Sequence, residues 1–315
     1  MGQLNNELND FLKNNQEFAD IINLSVYKGK QVLRPEDLED IGQVIYSQDH
    51  RGAKHELRND VSKRCRNGQT YQIYCLENEA KVSYVMPVRG MLYEAGRYME
   101  QVKAIHAGHR STDYQDWGEF SSGFTRTDKV QPMITLVLYW SREPWDGARS
   151  LLDMLDLSEE EKNDLSPFLN DYKVNLINMY DLKNLEKCEG QLKYVLKLLQ
   201  LDQDKKAIYE EVEGNPEYRN LNLDTGRVLA ALLGSEKIKK CVEMNKTKEV
   251  FDMCKALEDL WKDAEQQGMG RGLQQGATRV NLLNQRLIHE NRYQDLERSI
   301  TDIEYQQKLF AEYGL

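Results

Sequence analysis

Apolar positions along the first half of the chain change their period several times. Between residues 7 and 23, Leu8, Phe11, Leu12, Phe18 and Ile22 recur near helical spacing and predict one helix. Pro35 opens a short second helix through Ile45, and Glu36, Asp37, Glu39 and Asp40 suit the positive end of its dipole. Residues 57–66 and 69–79 then read as two strands around Asn67-Gly68, a dipeptide favoured in two-residue hairpin turns. Pro87 begins a long helix with an apolar stripe of Val88, Met91, Leu92, Ala95, Tyr98, Val102 and Ile105. Residues Met133 to Trp140 form a continuous apolar run, as expected of a strand buried on both faces, and residues 173–180 predict another strand. Helix, hairpin, helix and buried strand in this order predict an α/β fold.

The second half is different in kind. Of six prolines none follows Pro216, and the remaining chain is rich in Leu, Glu, Lys and Gln. Leu192, Val195, Leu196, Leu199 and Leu201, and later Met253, Leu257, Leu260 and Trp261, keep a helical stripe. Two domains are therefore expected in the 315 residues: 1–182 with mixed structure, and 183–315 all helical. The helical region is a natural surface for a partner or a homodimer.

Charge at first argues against a nucleic-acid substrate: 42 basic residues against 52 acidic leave −10. Its distribution weakens that objection. Residues 1–150 carry 19 basic and 21 acidic residues, whereas 151–315 carry 23 and 31, so most of the excess is C-terminal. Within 50–66, six basic residues face only Glu56 and Asp60. Five cysteines without CxxC spacing suggest reduced thiols. No signal peptide, myristoylation pattern or membrane-spanning stretch is visible, so a cytoplasmic protein with no membrane partner is expected.

The hairpin concentrates the candidate chemistry. With Asn67-Gly68 as its loop, Asp60 faces Cys75 and Arg58 faces Glu77. Alternate residues share a face, so Asp60, Glu77 and Glu79 point the same way. Three carboxylates together invite a hard cation such as Mg²⁺, which takes oxygen ligands and offsets phosphate charge. The bland alternative is a set of solvated acids on an exposed hairpin. A loop one residue longer or shorter would turn Asp60 to the other face.

Several blocks around these acids resemble a known family. They are FADIINLSVYKGKQVLRPEDL (18–38), RNDVSKRC (58–65), YQIYCLENEAKVSYVMPVRGMLYEAGRYMEQ (71–101) and PMITLVLYWSREPWDGARSLLDML (132–155). Together they resemble the recombination-promoting, transposase-like branch of the PD-(D/E)XK nucleases. The C-terminal segments FDMCKALEDLW and RYQDLERSITDIEYQQKLFAEYGL also resemble tails in that branch. The resemblance implies an αβββαβ core with a mixed sheet flanked by helices, followed by an all-helical C-terminal region. It also implies Mg²⁺-dependent (or Mn²⁺-dependent) DNA cleavage linked to recombination, mobile elements or phage defence.

Carried over by position, Asp60 stands at the metal-binding Asp and Glu77 at the Glu of the E-x-[K/Q] element. Glu79 departs from the pattern, where Lys or Gln is expected, and Lys81 two residues on could supply the missing amine. Arg89 and Tyr93 match the helix segment after the hairpin, where an Arg suits a phosphate; an ion pair with Glu77 or Glu94 is the alternative. Arg58, Lys63 and Arg64 of the basic segment join them as candidate DNA contacts. Asp20 matches an accessory acid in some relatives, but capping of a helix or a solvated acid is the simpler role. Because of Glu79, the alternative function is an inactive nuclease fold that binds DNA or a protein.

Other signals are weaker. His106 and His109 have metal-like spacing but lie next to Gly108 without nearby Cys, so a surface pair is expected. Cys65 and Cys75 should not pair across the hairpin. Gly268, Gly272 and Gly276 sit in polar surroundings that do not suit a membrane packing motif.

Overall fold

The computed structural model describes residues 2–42, 44–48, 54–67, 70–244 and 250–315; the side chains of residues 2–3, 44–48, 54–58, 67 and 263–264 lie outside that description. In chain order come α1 (Gly2–Leu12), α2 (Asn15–Ser25), β1 (Leu38–Asp40), β2 (Val44–Gln48), β3 (Lys54–Arg58), β4 (Val61–Asn67) and β5 (Thr70–Glu79). Then follow α3 (Met86–Gly108), α4 (Trp117–Ser122), β6 (Met133–Tyr139), α5 (Glu159–Leu165) and β7 (Asn175–Asn178). The remainder comprises α6 (Leu192–Gln200), α7 (Lys205–Gly214), β8 (Leu221–Asn222), α8 (Leu223–Leu232), α9 (Glu236–Met244), β9 (Val250–Phe251), α10 (Met253–His289), α11 (Tyr293–Thr301) and α12 (Ile303–Glu312).

A five-stranded mixed sheet in the order β1-β4-β5-β6-β7 forms the α/β frame. The pairs β1–β4 and β4–β5 are antiparallel, while β5–β6 and β6–β7 are parallel. Helix α3 makes the crossover between β5 and β6, because parallel neighbours cannot be joined by a tight turn. Its side of the sheet holds Val137 and Tyr139 against Met86 and Trp145, and Ile73, Cys75 and Met133 against Tyr98. On the other face, Tyr74 meets Tyr27 beyond the end of α2, and Asn78 meets Asn9 of α1.

Several expected elements differ. The helix expected over 7–23 is broken between α1 and α2, because the Asn14 side chain accepts from the Gln16 backbone N–H and restarts it. The helix expected from Pro35 is a single 3₁₀ turn; Leu38–Asp40 instead pairs with Lys63–Cys65. The hairpin register is Val61 opposite Leu76 through Asn67 opposite Thr70, so Asn67 belongs to the strand, while Gly68 of the expected turn lies outside the described residues. The expected stripe of α3 is only partly the buried face, with Tyr98 packed on the sheet. Val88 and Leu92 are exposed, while Tyr93 and Arg97 are buried.

Two compact units result, Met1–Met253 and Cys254–Leu315, so the expected boundary after residue 182 falls inside the first. The physical reason is a set of contacts between the N-terminus and the helices after residue 182. Glu17 accepts from the backbone N–H groups of Gln191 and Leu192, and Asp20 from those of Glu189 and Gly190. Glu17 thereby satisfies the amino end of α6, while Asp20 fixes the two residues leading into it. Asp20 is buried, not solvated, and holds the turn just before the helix. The second unit closes its own core, where Leu283 and Leu287 of α10 meet Leu309 and Phe310 of α12. Among the described residues, no helix is long and apolar enough to cross a membrane.

Candidate functional site at the end of strand β5

The carboxyl end of β5 brings most of the predicted carboxylate set together, at the strand ends where open α/β sheets gather ligands. Parity decides this. The register differs from the expected one by two in the sum of facing positions, so no residue changes face. Asp60 precedes the first paired residue of β4, next to the end of β5 that carries Glu77 and Glu79. Asp60 Oδ2 accepts from the Asn78 backbone N–H at 2.7 Å, where β4 no longer pairs.

Glu77 is 1% exposed. Its Oε1 accepts from Asn59 Nδ2 at 2.8 Å and its Oε2 from Arg89 Nη2 at 3.1 Å. Arg89 Nη1 donates to Glu79 Oε1 at 2.7 Å, so one guanidinium bridges both glutamates. Tyr93, one turn on, places its hydroxyl 3.5 Å from Arg89 Nη2. Burial pushes the Glu77 carboxyl up to about 8, and the neighbouring Asp60 charge adds to this against the opposing effects of Asn59 and Arg89. Glu79 is raised by burial as well, against the pull of Arg89. Two carboxylates thus share one guanidinium, with Asp60 beside them.

Asp60 is held from the opposite helix layer. Trp140 Nε1 donates to Asn78 Oδ1 at 2.8 Å, Asn78 Nδ2 to Asn9 Oδ1 at 2.8 Å, and Asn9 Nδ2 to Asp60 Oδ1 at 3.0 Å. Every donor in this chain points toward the carboxylate. Asn5 adds a bond to the Asn78 carbonyl oxygen at 3.1 Å. The sequence did not single out Asn5, Asn9, Asn59, Asn78 or Trp140. Isolated asparagines carry no periodic signal, and only the adjacency of Asn59 to Asp60 and of Asn78 to Glu77 pointed toward them.

The other predicted residues lie elsewhere. Lys81 is past the end of β5 with an exposed side chain, and makes no ion pair with Glu77 or Glu79. Lys63 is fully buried; its ammonium donates to Asp40 at 2.6 Å and Asn15 at 2.7 Å. It is tied into the β1–β4 edge and is not available to a phosphate in this arrangement. Its neighbour Arg64 remains partly exposed, paired with Glu39 and stacked over Tyr71. The Arg58 side chain lies outside the described residues. His109 pairs with Asp128 at 2.8 Å and His106 with Tyr114 at 3.1 Å, and the cysteines are free thiols.

Among the described residues, no three His, Cys, Asp or Glu side chains converge as a ready cation cage. The carboxylate oxygens instead face Arg89, Asn59, Asn9 and the Asn78 N–H. The donor set nevertheless fits a hard cation: it is all oxygen, carries more negative charge than Arg89 offsets, and includes the buried Asn59 Oδ1, which lacks a hydrogen-bond partner. No family model matches the chain, and neither a curated protein nor a solved structure does.

Proposed function

We propose that the chain is a metal-dependent DNA endonuclease of the PD-(D/E)XK type. The observation that carries this reading is the convergence of Asp60, Glu77 and Glu79 with Arg89 and Tyr93 at the end of β5. Asp60 and Glu77 would hold Mg²⁺ or Mn²⁺, with Glu79 as an additional ligand or a proton acceptor. The cation would supply neutralisation of phosphate charge and acidification of an attacking water. Arg89 and Tyr93 are the protein's own groups for the phosphodiester, a planar fork and a hydroxyl on one helix face. Arg64, partly exposed on the same hairpin, would add a salt-sensitive contact along the backbone. Cutting both strands of a duplex takes two such sites, which a homodimer through the helical region would supply.

Supercoiled plasmid incubated with the purified chain and Mg²⁺ or Mn²⁺ tests the proposal. Nicking that disappears with chelator and in Asp60→Ala is the expected result. Absence of nicking, or equal nicking by Asp60→Ala, overturns it. One observation favours the second reading, an inactive fold that binds DNA or protein: Arg89 engages both glutamates at once. DNA retained at low salt without any cleavage would select that reading.

A further inference from the structure

We infer that Arg89 is a resident counter-ion of Glu77 and Glu79 that competes with divalent cations for them, so that removing it strengthens cation binding. The inference rests on the metal-dependent reading of this site.

The geometry allows little else at these oxygens. Nη2 of Arg89 lies 3.1 Å from Glu77 Oε2, and Nη1 lies 2.7 Å from Glu79 Oε1. The remaining Glu77 oxygen is taken by Asn59. Glu77 is buried and Glu79 is 17% exposed, so the pair cannot rely on water to spread its charge. A buried carboxylate pair demands a cation, and the fold provides one covalently, on the first turns of α3. A cation drawing on both carboxylates must therefore weaken these two ion pairs or displace the fork.

Arg89 itself is suited to exchange. Its side chain is 35% exposed, against 2% for Glu77, so the cation rather than the carboxylate can leave for solvent. Ser83 and Tyr93 flank it at 3.4 and 3.5 Å and could keep the displaced fork near the site. Once released it becomes a free bidentate donor beside the carboxylates, where a phosphodiester would approach. The same residue then acts as a latch in the absence of metal and as a phosphate-positioning residue in its presence. Electrostatic bookkeeping gives the sign: three carboxylates and a guanidinium attract a divalent cation less than three carboxylates alone.

Mn²⁺ titration calorimetry on the full chain, with thermal melting in Mg²⁺, tests this on native protein, Arg89→Met and Arg89→Lys. The expected result is a Kd for Mn²⁺ at least fivefold lower in Arg89→Met, and a Mg²⁺-dependent rise in Tm larger than that of the native chain. Binding seen only in the variant supports the inference too. Should Arg89→Met fail to fold, Arg89→Lys carries the test, since an ammonium cannot span both glutamates as the fork does. Native binding that Arg89 substitutions leave unchanged or weaken overturns the inference alone. No Mn²⁺ binding by any of the chains overturns it together with the metal-dependent reading.

Discussion

Asn59 donates its side-chain amide to Glu77 at 2.8 Å, and both residues are almost wholly buried. The bond ties the last residue before Asp60 to the central carboxylate of the site. Asn59→Ala leaves Glu77 Oε1 without a donor in a place water does not reach, a loss of about 1–3 kcal/mol. The expected outcome in urea denaturation is a lower midpoint of that size. Much of the loss should disappear in a Glu77→Gln background, because a neutral amide suffers less from the missing donor. Equal losses in both backgrounds would mean that the bond contributes nothing.

A second buried acid predicts the pH dependence of stability. Glu17 is 3% exposed, and burial pushes its carboxyl from 4.5 up to about 7 despite the two backbone N–H groups it accepts. The folded state therefore holds a proton that the unfolded chain gives up near pH 4.5. The stabilisation is fully present below about pH 4.5 and is lost as pH rises through about 7, on the order of 3 kcal/mol over that window. Melting temperature should fall between pH 5 and 7.5. In Glu17→Gln this part of the slope should flatten, leaving the contribution of Glu77, which is also raised. A native slope unchanged by Glu17→Gln would refute the assignment.

Lys63 supplies a test that separates structure from substrate contact. Its buried ammonium is bound by Asp40 and Asn15, and Phe18 lies 5.7 Å away. Lys63→Met strands Asn15 Oδ1 while the exposed Asp40 regains water, so a loss of about 1–3 kcal/mol is expected in denaturation. Retention on DNA at low salt should stay within about twofold of the native chain. Arg64→Ala should show the reverse, little change in stability and weaker, less salt-sensitive retention.

What the sequence could reveal follows from the range of each interaction. Face assignment on the hairpin depends only on parity, so Asp60, Glu77 and Glu79 were legible together although the observed register differs from the expected one. Pro87 marked the start of α3 because its effect on the backbone is local. The buried face of that helix was only partly legible. A stripe count rewards apolar residues, whereas α3 turns Arg89, Tyr93 and Arg97 inward against the acids of β5 and the Gly42 carbonyl oxygen. For the same reason Lys63 read as a surface cation: its partners Asp40 and Asn15 come from separate segments. Lys81, close to Glu79 in sequence, lies outside the site that distant Arg89 completes.

Trp140 offers the most indirect test of the site. Its indole N–H bonds Asn78 rather than a carboxylate, and so begins the chain of bonds through Asn78 and Asn9 to Asp60. Each donor in such a chain polarises the next, and the last bond fixes which way the Asp60 carboxylate points. Trp140→Phe keeps an aromatic ring at a buried position and deletes the first donor, together with part of the indole's volume. Asn78 Oδ1 is then unpaired, and its side-chain amide is free to turn away from Asn9. Substitutions in the partners of metal-binding groups commonly cost 10–100-fold in affinity or activity. Because Asp60 also keeps its bond from the Asn78 backbone, the proposed nuclease should lose activity nearer the lower end, about 10-fold in Mg²⁺-dependent nicking. The loss should shrink as Mg²⁺ concentration is raised, since the defect lies in carboxylate orientation rather than in contact with DNA. A loss of nicking that Mg²⁺ does not relieve, or none at all, would mean that this chain does not position Asp60.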